Sequence, residues 1–333
     1  MAPRIVFSPN ILPKDFVDLA KRMAPTDFEL VVADFPKPEF AEAVKTAEYF
    51  VGFVRGGLDD AFYKNAPKMK LIQLISAGYD RVDLDAARKA KVLVANNGGA
   101  NAVSVAEHTM LLILSAMKKV AYLHENCMAG KWRVGDLDGN RLFELEGKTL
   151  GIVGLGNIGK KVARRAQAFG MSVIYYDIVR LTEEQEDALG VRFALFDEVM
   201  RKADVVSLHT PLSPLTQNMM NARAFGLMKP TAFFVNTCRG PVVDEEALFE
   251  VLATNKIMGA GLDVMAQEPP PADHKFFNLK NITITPHMAG PTVENWDRAF
   301  RNAFDNIQRL AAGRPASWVV PELRDLPNPN TTK

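Results

Sequence analysis

Cysteine is scarce in this sequence, and neither sign of charge is in excess. The 333 residues include two cysteines, Cys127 and Cys238, which are too few for a disulfide framework or a cysteine-based zinc site. Forty Lys and Arg residues against 39 Asp and Glu residues leave a formal net charge of +1, so we expect no nucleic-acid partner. No group of His, Cys or acidic residues has metal-ligand spacing, and we expect no metal site.

Long hydrophobic runs are missing as well. The N-terminal MAPRIVFSPN has three consecutive apolar residues before a Ser-Pro break, which is too short for the apolar core of a signal peptide. The run TMLLILSAM from Thr109 falls far short of the roughly 20 residues that a membrane span needs. We therefore expect a cytoplasmic protein without a membrane partner. The length of the chain favours two domains.

Short β-rich runs alternate with helical patterns along the whole chain. This alternation predicts α/β domains with doubly wound parallel sheets, in which helices cover both faces. Five predicted strands lie in the first third of the chain: Ile5–Phe7, Leu30–Ala33, Tyr49–Val54, Leu71–Ile75 and Val92–Ala95. Six more follow in the second half: Leu150–Val153, Ser172–Tyr176, Val205–Leu208, Ala232–Asn236, Gly259–Leu262 and Ile282–Thr285.

A long helical pattern and an irregular stretch separate the two sets of strands. The stretch Asn101–Val120 is apolar on several faces, which is typical of a buried helix. Residues 121–147 show no periodicity, so we expect irregular structure there that is functional or reaches toward another subunit. A second long helix is predicted at Pro291–Ala312, and Gly313 ends it.

A glycine-rich loop lies between a predicted strand and a predicted helix. In VGLGNIG, Gly154, Gly156 and Gly159 form the pattern G-x-G-x-x-G, which suits a tight turn at the phosphates of a dinucleotide. Asp177 ends the next strand 18 residues after Gly159, where an acid meets the ribose hydroxyls. Its charge disfavours the extra phosphate of NADP, although Arg180 could offset part of that effect, and we expect NAD. The alternative is a strand–helix turn without a ligand.

Three polar residues follow strands of the same predicted sheet: Arg239 in AFFVNTCRG, Glu268 in GLDVMAQEPP and His287 in ITITPHMAG. Open parallel sheets bind ligands beyond the carboxyl ends of their strands, so we predict that the three side chains face one crevice. Arginine binds a carboxylate with two parallel hydrogen bonds, and histidine exchanges a proton near neutral pH. A carboxylate behind the imidazole fixes its tautomer and favours the imidazolium. Taken singly, the three residues also fit a surface ion pair, loop polarity and a structural histidine.

Two further histidines lie near these elements. His209, in SLHTPLSPLTQ, follows another strand of the same sheet, so we predict that it lines the cofactor. His108 lies within the apolar helix pattern, which favours a packed structural role. The two residues therefore receive opposite interpretations.

Together these motifs resemble the D-isomer-specific 2-hydroxyacid dehydrogenase family over nearly the whole chain. NNGGANAVSVAEHTMLLIL is similar to the interdomain helix of that family, VGLGNIG to its dinucleotide loop and HTPLSPLTQNMMN to its cofactor wall. VNTCRGPVVDEEAL carries the catalytic arginine of the family at Arg239, and GLDVMAQEPP carries its acid at Glu268. TPHMAG carries the proton donor and acceptor at His287.

The resemblance implies a Rossmann NAD-binding domain, residues 101–288, inserted into a flavodoxin-like substrate domain, residues 1–100 plus 289–333. It also implies a homodimer in which the segment around Trp132 reaches toward the partner subunit. The substrate carboxylate would bind Arg239 and the backbone near two short segments: Arg55, Gly56 and Gly57, and Ser76, Ala77 and Gly78. The implied cofactor contacts are Gly154, Gly156, Asn157, Ile158, Gly159, Asp177, His209, Pro211, Thr237, Cys238, Asp263 and Gly290.

We therefore predict an NAD-dependent oxidoreductase that interconverts a small 2-keto acid and its D-2-hydroxy acid, with glyoxylate or hydroxypyruvate as the expected type of substrate. Two alternatives remain at this point. A dinucleotide-sensing interaction protein can use the same fold, as some transcriptional corepressors do. A phosphite-type dehydrogenase would act on an inorganic oxyanion instead.

Overall fold

The computed structural model describes residues 2–10, 12–54, 56–132 and 141–330. The chain forms two compact units, Met1–Asn101 with Pro291–Lys333, and Ala102–Gly290. The strands are β1 (Arg4–Ser8), β2 (Glu29–Val32), β3 (Tyr49–Gly52), β4 (Leu71–Leu74), β5 (Leu93–Ala95), β6 (Thr149–Val153), β7 (Ser172–Tyr176), β8 (Val191–Phe193), β9 (Val205–Leu208), β10 (Phe233–Asn236), β11 (Gly259–Leu262) and β12 (Ile282–Ile284). The α-helices are α1 (Lys14–Met23), α2 (Pro38–Ala43), α3 (Asp60–Asn65), α4 (Leu84–Ala90), α5 (Ala102–Lys118), α6 (Val120–Met128), α7 (Asn157–Ala168), α8 (Glu183–Leu189), α9 (Phe196–Lys202), α10 (Ala222–Gly226), α11 (Glu245–Ala253) and α12 (Val293–Ala311).

The first unit is built on a five-stranded parallel sheet in the order β2-β1-β3-β4-β5. Every residue of β3 and β4 is buried, as expected for strands that are covered on both faces. On one face Phe50 packs among Phe40 of α2 and Phe62 of α3. On the other face Phe7 lies against Phe300 of α12, with 5.7 Å between the ring centres. Helices thus cover both faces of this sheet.

Helix α12 shows how the sequence determines one of these covering helices. Thr292 caps it, because Thr292 Oγ1 accepts a hydrogen bond from Asn295 N at 3.3 Å. Its buried residues recur every three or four positions between Trp296 and Leu310, so one stripe of the helix faces the core. The predicted helix at Pro291–Ala312 is confirmed to within two residues at each end.

The second unit is built on a seven-stranded parallel sheet in the order β12-β11-β10-β9-β6-β7-β8. Phe234 belongs to one buried apolar cluster, and its neighbours Phe233 and Val235 belong to another. Successive residues of a strand point to opposite faces, so the two clusters cover the two sides of the sheet. The strand order reverses between β6 and β9, which is the switch point where such sheets bind ligands. Together the two sheets confirm the predicted doubly wound α/β fold.

The segment after α5 differs from the prediction of irregular structure over 121–147. Helix α5 ends at Lys118, Lys119 has a left-handed φ of 51°, and the separate helix α6 follows. No residue of α6 is buried, so no apolar stripe marks this helix in the sequence. The short elements β8 and α10 also have no counterpart in the prediction. Residues 133–140 of the expected intersubunit segment lie outside the described residues.

The described ranges contain neither a membrane-spanning helix nor a metal-binding cluster. No helix in them combines the length and apolar character that crossing a bilayer requires. Nor does any group of three His, Cys, Asp or Glu side chains in these ranges come together as a metal site would require. Neither cysteine forms a disulfide; Cys127 is exposed and Cys238 is buried.

Candidate active site

The glycine-rich loop joins β6 to α7 at the switch point of the second sheet. Gly154 has a φ of 96°, and a Cβ there would lie 2.7 Å from the carbonyl oxygen of His209, so no side chain fits. A Cβ on Gly159 would lie 2.4 Å from the carbonyl oxygen of Gly154, which keeps α7 close to the strand. Gly156 is exposed, and a Cβ there would meet no atom within 4 Å. The loop is therefore closed toward the protein and open at Gly156, where a pyrophosphate could approach the backbone.

Helix α7 presents its N-terminus beside this opening. Its first residue, Asn157, is exposed, whereas Ile158 is partly buried against the apolar cluster beneath the helix. The helix contains 12 residues, so its N-terminal amide groups and the positive end of its dipole favour an anion at this end. The loop and the helix together fit the diphosphate of NAD.

Asp177 follows β7 next to the glycine loop. Its Oδ2 accepts a hydrogen bond from Leu155 N at 2.7 Å, and its Oδ1 accepts one from Val179 N at 3.0 Å. Because each carboxylate oxygen is held by a backbone amide, the side chain has one fixed orientation. A fixed acceptor at this position suits the two hydroxyls of a ribose.

Arg180 lies three residues beyond Asp177, but its guanidinium is bound within its own loop. Its Nε donates to Glu186 Oε1 at 3.1 Å, and its guanidinium carbon lies 5.0 Å from the centre of the Phe193 ring. Burial acts to raise the pKa of Glu186, but hydrogen bonds from Arg180 and Tyr175 hold that pKa below its usual value. The partner of Arg180 is thus Glu186, and the partial offset of the Asp177 charge, which we considered as an alternative, has no support in the geometry.

His209 and Thr210 follow β9, on the other side of the switch point. His209 Nε2 lies 2.9 Å from Ser207 Oγ. In contrast, His209 Nδ1 and Thr210 Oγ1 are buried and have no hydrogen-bond partner among the described residues. Burial lowers the pKa of His209 to about 3, so its ring is neutral at physiological pH. The backbone of His209 and the methyl group of Thr210 face Gly154, where an added Cβ would lie 2.7 Å from the carbonyl oxygen of His209 and 3.1 Å from Thr210 Cγ2. Pro211 continues this wall, and its carbonyl oxygen accepts a hydrogen bond within the same loop.

Arg239 lies on a turn that a buried asparagine shapes. Asn236, at the end of β10, accepts a hydrogen bond from Cys238 N at 3.0 Å and donates one to the carbonyl oxygen of Arg239 at 2.9 Å. Thr237 Oγ1 lies 3.0 Å from Thr109 Oγ1. Burial raises the pKa of the Cys238 thiol, which therefore stays protonated. Asn236 is not among the predicted site residues, although a polar residue that ends an apolar strand was an available signal.

Glu268 and His287 form a pair beside this turn. His287 Nδ1 lies 2.7 Å from Glu268 Oε2, and Glu268 Oε1 accepts a hydrogen bond from Met265 N at 3.1 Å. Gly240 lies so close to Met265 that a Cβ would be 2.0 Å from its backbone. Burial acts to raise the pKa of Glu268, but the hydrogen bond and charge of His287, with smaller effects of Met265 N and Arg239, hold it below its usual value. The ionised carboxylate therefore keeps a proton on His287 Nδ1.

His287 lies on a left-handed turn that Asp263 supports. Its φ is 56°, which is uncommon for a residue other than glycine. The backbone oxygen of Asp263 accepts a hydrogen bond from His287 N at 2.8 Å. Its carboxylate accepts one from Met288 N at 2.8 Å and one from Ala289 N at 2.9 Å. Gly290 follows as the last residue of the second unit.

The residues that the resemblance assigns to the substrate carboxylate, apart from Arg239, belong to the first unit. Arg55 lies outside the described residues. Gly56 and Gly57 have φ angles of 113° and 80°, which residues with a side chain rarely adopt. In the loop 76–78 all three carbonyl oxygens accept hydrogen bonds from their own unit. The amides of residues 77 and 78 make none within the described part of the chain.

Comparisons with known proteins identify similar chains. The family profile described as "D-isomer specific 2-hydroxyacid dehydrogenase, NAD binding domain" matches residues 110–289. A glyoxylate reductase of Korarchaeum cryptofilum is 35% identical over 309 residues, which cover 92% of this chain and 90% of that protein. The structure of Rhodotorula graminis D-mandelate dehydrogenase has a TM-score of 0.84 at 27% identity and covers 96% of this chain and 98% of its own. D-lactate dehydrogenase of Lactobacillus jensenii with NAD+ has a TM-score of 0.80 at 28% identity, with coverages of 95% and 99%.

Proposed function

The chain belongs to the D-isomer specific 2-hydroxyacid dehydrogenase family, and from this premise we propose that it reduces a small 2-keto acid of the glyoxylate type to a D-2-hydroxy acid. It is an NAD-dependent oxidoreductase. One observation carries the proposed chemistry: His287 Nδ1 lies 2.7 Å from Glu268 Oε2. This pair follows strands of the same sheet that carries the glycine-rich loop.

We assign the cofactor to the carboxyl ends of β6, β7 and β9. The open backbone at Gly156 and the N-terminus of α7 would hold the diphosphate, and the fixed carboxylate of Asp177 would accept the ribose hydroxyls. His209 Nδ1, which is buried without a partner in the described residues, would gain one from the nucleotide. Bound NADH supplies the hydride, and the chain supplies binding, orientation and the proton.

Arg239 is our candidate for the substrate carboxylate. Its planar guanidinium presents donors that match the two oxygens of a carboxylate. Asn236 and Gly240 fix the turn on which it lies, through a hydrogen bond and a close backbone contact. The family resemblance adds the backbone amides near residues 55–57 and 76–78, whose role stays a prediction.

His287 is our candidate for the proton donor. Glu268 accepts a hydrogen bond from Nδ1–H, so Nδ1 keeps its proton and the proton that can move is the one on Nε2. Nε2 makes no hydrogen bond within the described residues, and the side chain is 48% exposed. In the reducing direction Nε2–H would protonate the carbonyl oxygen of the keto acid, and in the oxidising direction neutral Nε2 would accept the hydroxyl proton.

The substrate class follows from the relatives. Three relatives that carry the name glyoxylate reductase are between 32% and 35% identical to this chain and cover between 84% and 97% of it. We therefore place glyoxylate first among the substrates, with hydroxypyruvate as the next candidate.

We further propose that the protein is a cytoplasmic homodimer that pairs through the surface of α5 and α6. Three apolar side chains of these helices, Leu111, Val120 and Met128, and Trp132 four residues beyond α6 are between 50% and 76% exposed, which is typical of an interaction surface. Free cysteines, one of them exposed, support a reducing compartment. Light scattering should give twice the 36.8 kDa of the chain; a monomer would overturn the dimer.

The test of the function is NADH oxidation across a panel of 2-keto acids, with NADPH and phosphite as additional arms. We expect turnover of glyoxylate by the wild type and a loss of kcat of about a hundredfold or more in His287→Ala. Arg239→Ala should raise KM for the keto acid. Arg301 is an exposed arginine of α12, and Arg301→Ala should leave both kcat and KM unchanged. Equal rates in the wild type and in both site variants would overturn the assigned roles. Tight NADH binding without turnover would favour a sensing protein, and NADH formation from phosphite and NAD+ would favour a phosphite-type enzyme.

A further inference from the structure

Helix α5 contacts the turn that carries His287 through one side chain, His108. His108 Nε2 lies 2.8 Å from Thr285 Oγ1 and 3.4 Å from Asp263 Oδ1. Thr285 Oγ1 in turn lies 2.5 Å from Asp263 Oδ1. The side chains of His108 and Asp263 are 14% and 1% exposed. We expected His108 to have a packed structural role. The ring is indeed packed, but it also takes part in a buried polar cluster.

The directions of these hydrogen bonds follow from the charge of Asp263. Burial acts to raise the pKa of Asp263, but hydrogen bonds from His108, Thr285 and two backbone amides hold it below its usual value. The carboxylate is thus only an acceptor, and the single hydroxyl proton of Thr285 must point to it. Thr285 Oγ1 then accepts from Nε2–H of His108. Donation runs from His108 through Thr285 to Asp263, which places a proton on Nε2 of His108.

Asp263 links this hydrogen-bonded cluster to the backbone around His287. It accepts hydrogen bonds from the three consecutive amides of His287, Met288 and Ala289, one with its carbonyl oxygen and two with its carboxylate. The left-handed φ of 56° at His287 persists only where the surrounding contacts outweigh its cost. His108 and Thr285 fix the orientation of the carboxylate that makes two of those contacts.

We propose that His108 is a positioning residue for the reaction, which sets the placement of His287 through Thr285 and Asp263. This inference rests on the proposed function of His287 as the proton donor. Thr109, the residue after His108, makes a similar contact with the segment after β10. Its hydroxyl donates a hydrogen bond to the carbonyl oxygen of Val105 at 2.8 Å, so its oxygen accepts a hydrogen bond from Thr237. One turn of α5 thereby holds the segments that follow β10 and β12.

Two variants of His108 separate the hydrogen bond from the packing. His108→Leu removes the donor, whereas His108→Gln keeps an N–H donor at a similar distance from the backbone. We expect kcat to fall about tenfold in His108→Leu, as for the loss of one buried hydrogen bond, with KM for the keto acid little changed. His108→Gln should recover most of the loss. The kinetic isotope effect with NADH deuterated at the transferred position should rise in His108→Leu, because chemistry then limits turnover.

Thr285→Val keeps the shape of the middle residue and provides a second route if His108→Leu does not fold. We expect the same loss of kcat in Thr285→Val, and no further loss when both substitutions are combined. Additive losses, an unchanged kcat in His108→Leu, or equal losses in His108→Leu and His108→Gln would overturn the proposal.

Hydrogen exchange tests the positioning role of His108 independently of the proposed reductase function. If the wild type turns over no keto acid, the proposed function fails, but the contacts can still be measured by mass spectrometry. The amides of residues 287–289 should exchange faster in His108→Leu than in the wild type or in His108→Gln. Identical exchange in all three proteins would overturn the positioning role.

Discussion

Cofactor preference depends on one carboxylate that the surrounding backbone holds in place. Two amides fix Asp177 at 2.7 and 3.0 Å, and Arg180, three residues on, is bound to Glu186. In the described part of the chain no ion pair joins Arg180 to Asp177, so the charge of Asp177 acts on the group that the ribose carries. We predict that Asp177→Asn, which removes the charge and keeps the shape, strongly reduces the preference for NADH over NADPH.

The size of this effect can be worked out from the charges. Two unit charges about 4 Å apart repel by about 4 kcal/mol at an effective dielectric constant of about 20, which corresponds to about a thousandfold in kcat/KM. The asparagine also loses a charged acceptor for the ribose of NADH, which is worth about 1.5–3 kcal/mol. The ratio of kcat/KM for NADH to that for NADPH should therefore fall by about a thousandfold or more in the variant.

The assay is the initial rate of glyoxylate reduction with each cofactor over a range of concentrations. Asp187→Asn is the matched control, since Asp187 is an acid of α8 whose surface ion pair with Arg192 measures 2.8 Å. Its cofactor ratio should equal that of the wild type. A wild type that uses NADPH more efficiently than NADH, or an unchanged ratio in Asp177→Asn, would refute the reasoning.

Two further predictions concern the glycine loop and the acid beside His287. Gly156→Ala should fold normally, because a Cβ there meets no atom within 4 Å, yet its Kd for NADH should rise about tenfold or more since the methyl group blocks the approach of the phosphates. The pKa of Glu268 is lowered in the folded protein, so its stabilising contribution is present above the usual carboxyl pKa and is lost as the pH falls through the folded-state value. The difference in Tm between the wild type and Glu268→Gln should therefore be largest near neutral pH and should shrink below about pH 4.5.

A control for the glycine-loop experiment is available in the same unit. Gly226→Ala also places its Cβ in open space and should leave the Kd for NADH, measured by fluorescence titration, unchanged. A Gly156→Ala protein that binds NADH as tightly as the wild type would contradict the assigned phosphate loop. A constant difference in Tm between Glu268→Gln and the wild type from neutral to acidic pH would contradict the pairing of Glu268 with His287.

The fold could be predicted wherever the sequence carries a period or a fixed turn. Buried parallel strands such as β6 and β10 are short apolar runs, and the three glycines of the loop occupy positions where a side chain would collide or block a ligand. The elements that the prediction missed lack such a signal. Helix α6 buries no residue, and β8 has only three residues, Val191–Phe193, so neither stands out from a loop.

The candidate site likewise contains residues that the sequence indicates and residues that only the folded structure indicates. Arg239, Glu268 and His287 could be selected because a strand precedes each of them and because their chemistry is distinctive. His108 and Thr285 could not be selected from the sequence, because their importance depends on which strand ends lie beside them in space. The hydrogen bond from Arg180 to Glu186 likewise forms only when the loop and α8 are folded together. From the sequence alone, the short distance between Arg180 and Asp177 suggested instead that Arg180 could offset part of the Asp177 charge.

The central claim is that His287, held by Glu268, protonates a 2-keto acid during its reduction to a D-2-hydroxy acid. The most direct measurement is the configuration and rate of formation of the product from hydroxypyruvate and NADH, followed by chiral chromatography for the wild type and for His287→Ala. The account predicts D-glycerate from the wild type and a rate at least about a hundredfold lower from the variant. Formation of L-glycerate, or of product at equal rates by both proteins, would contradict it.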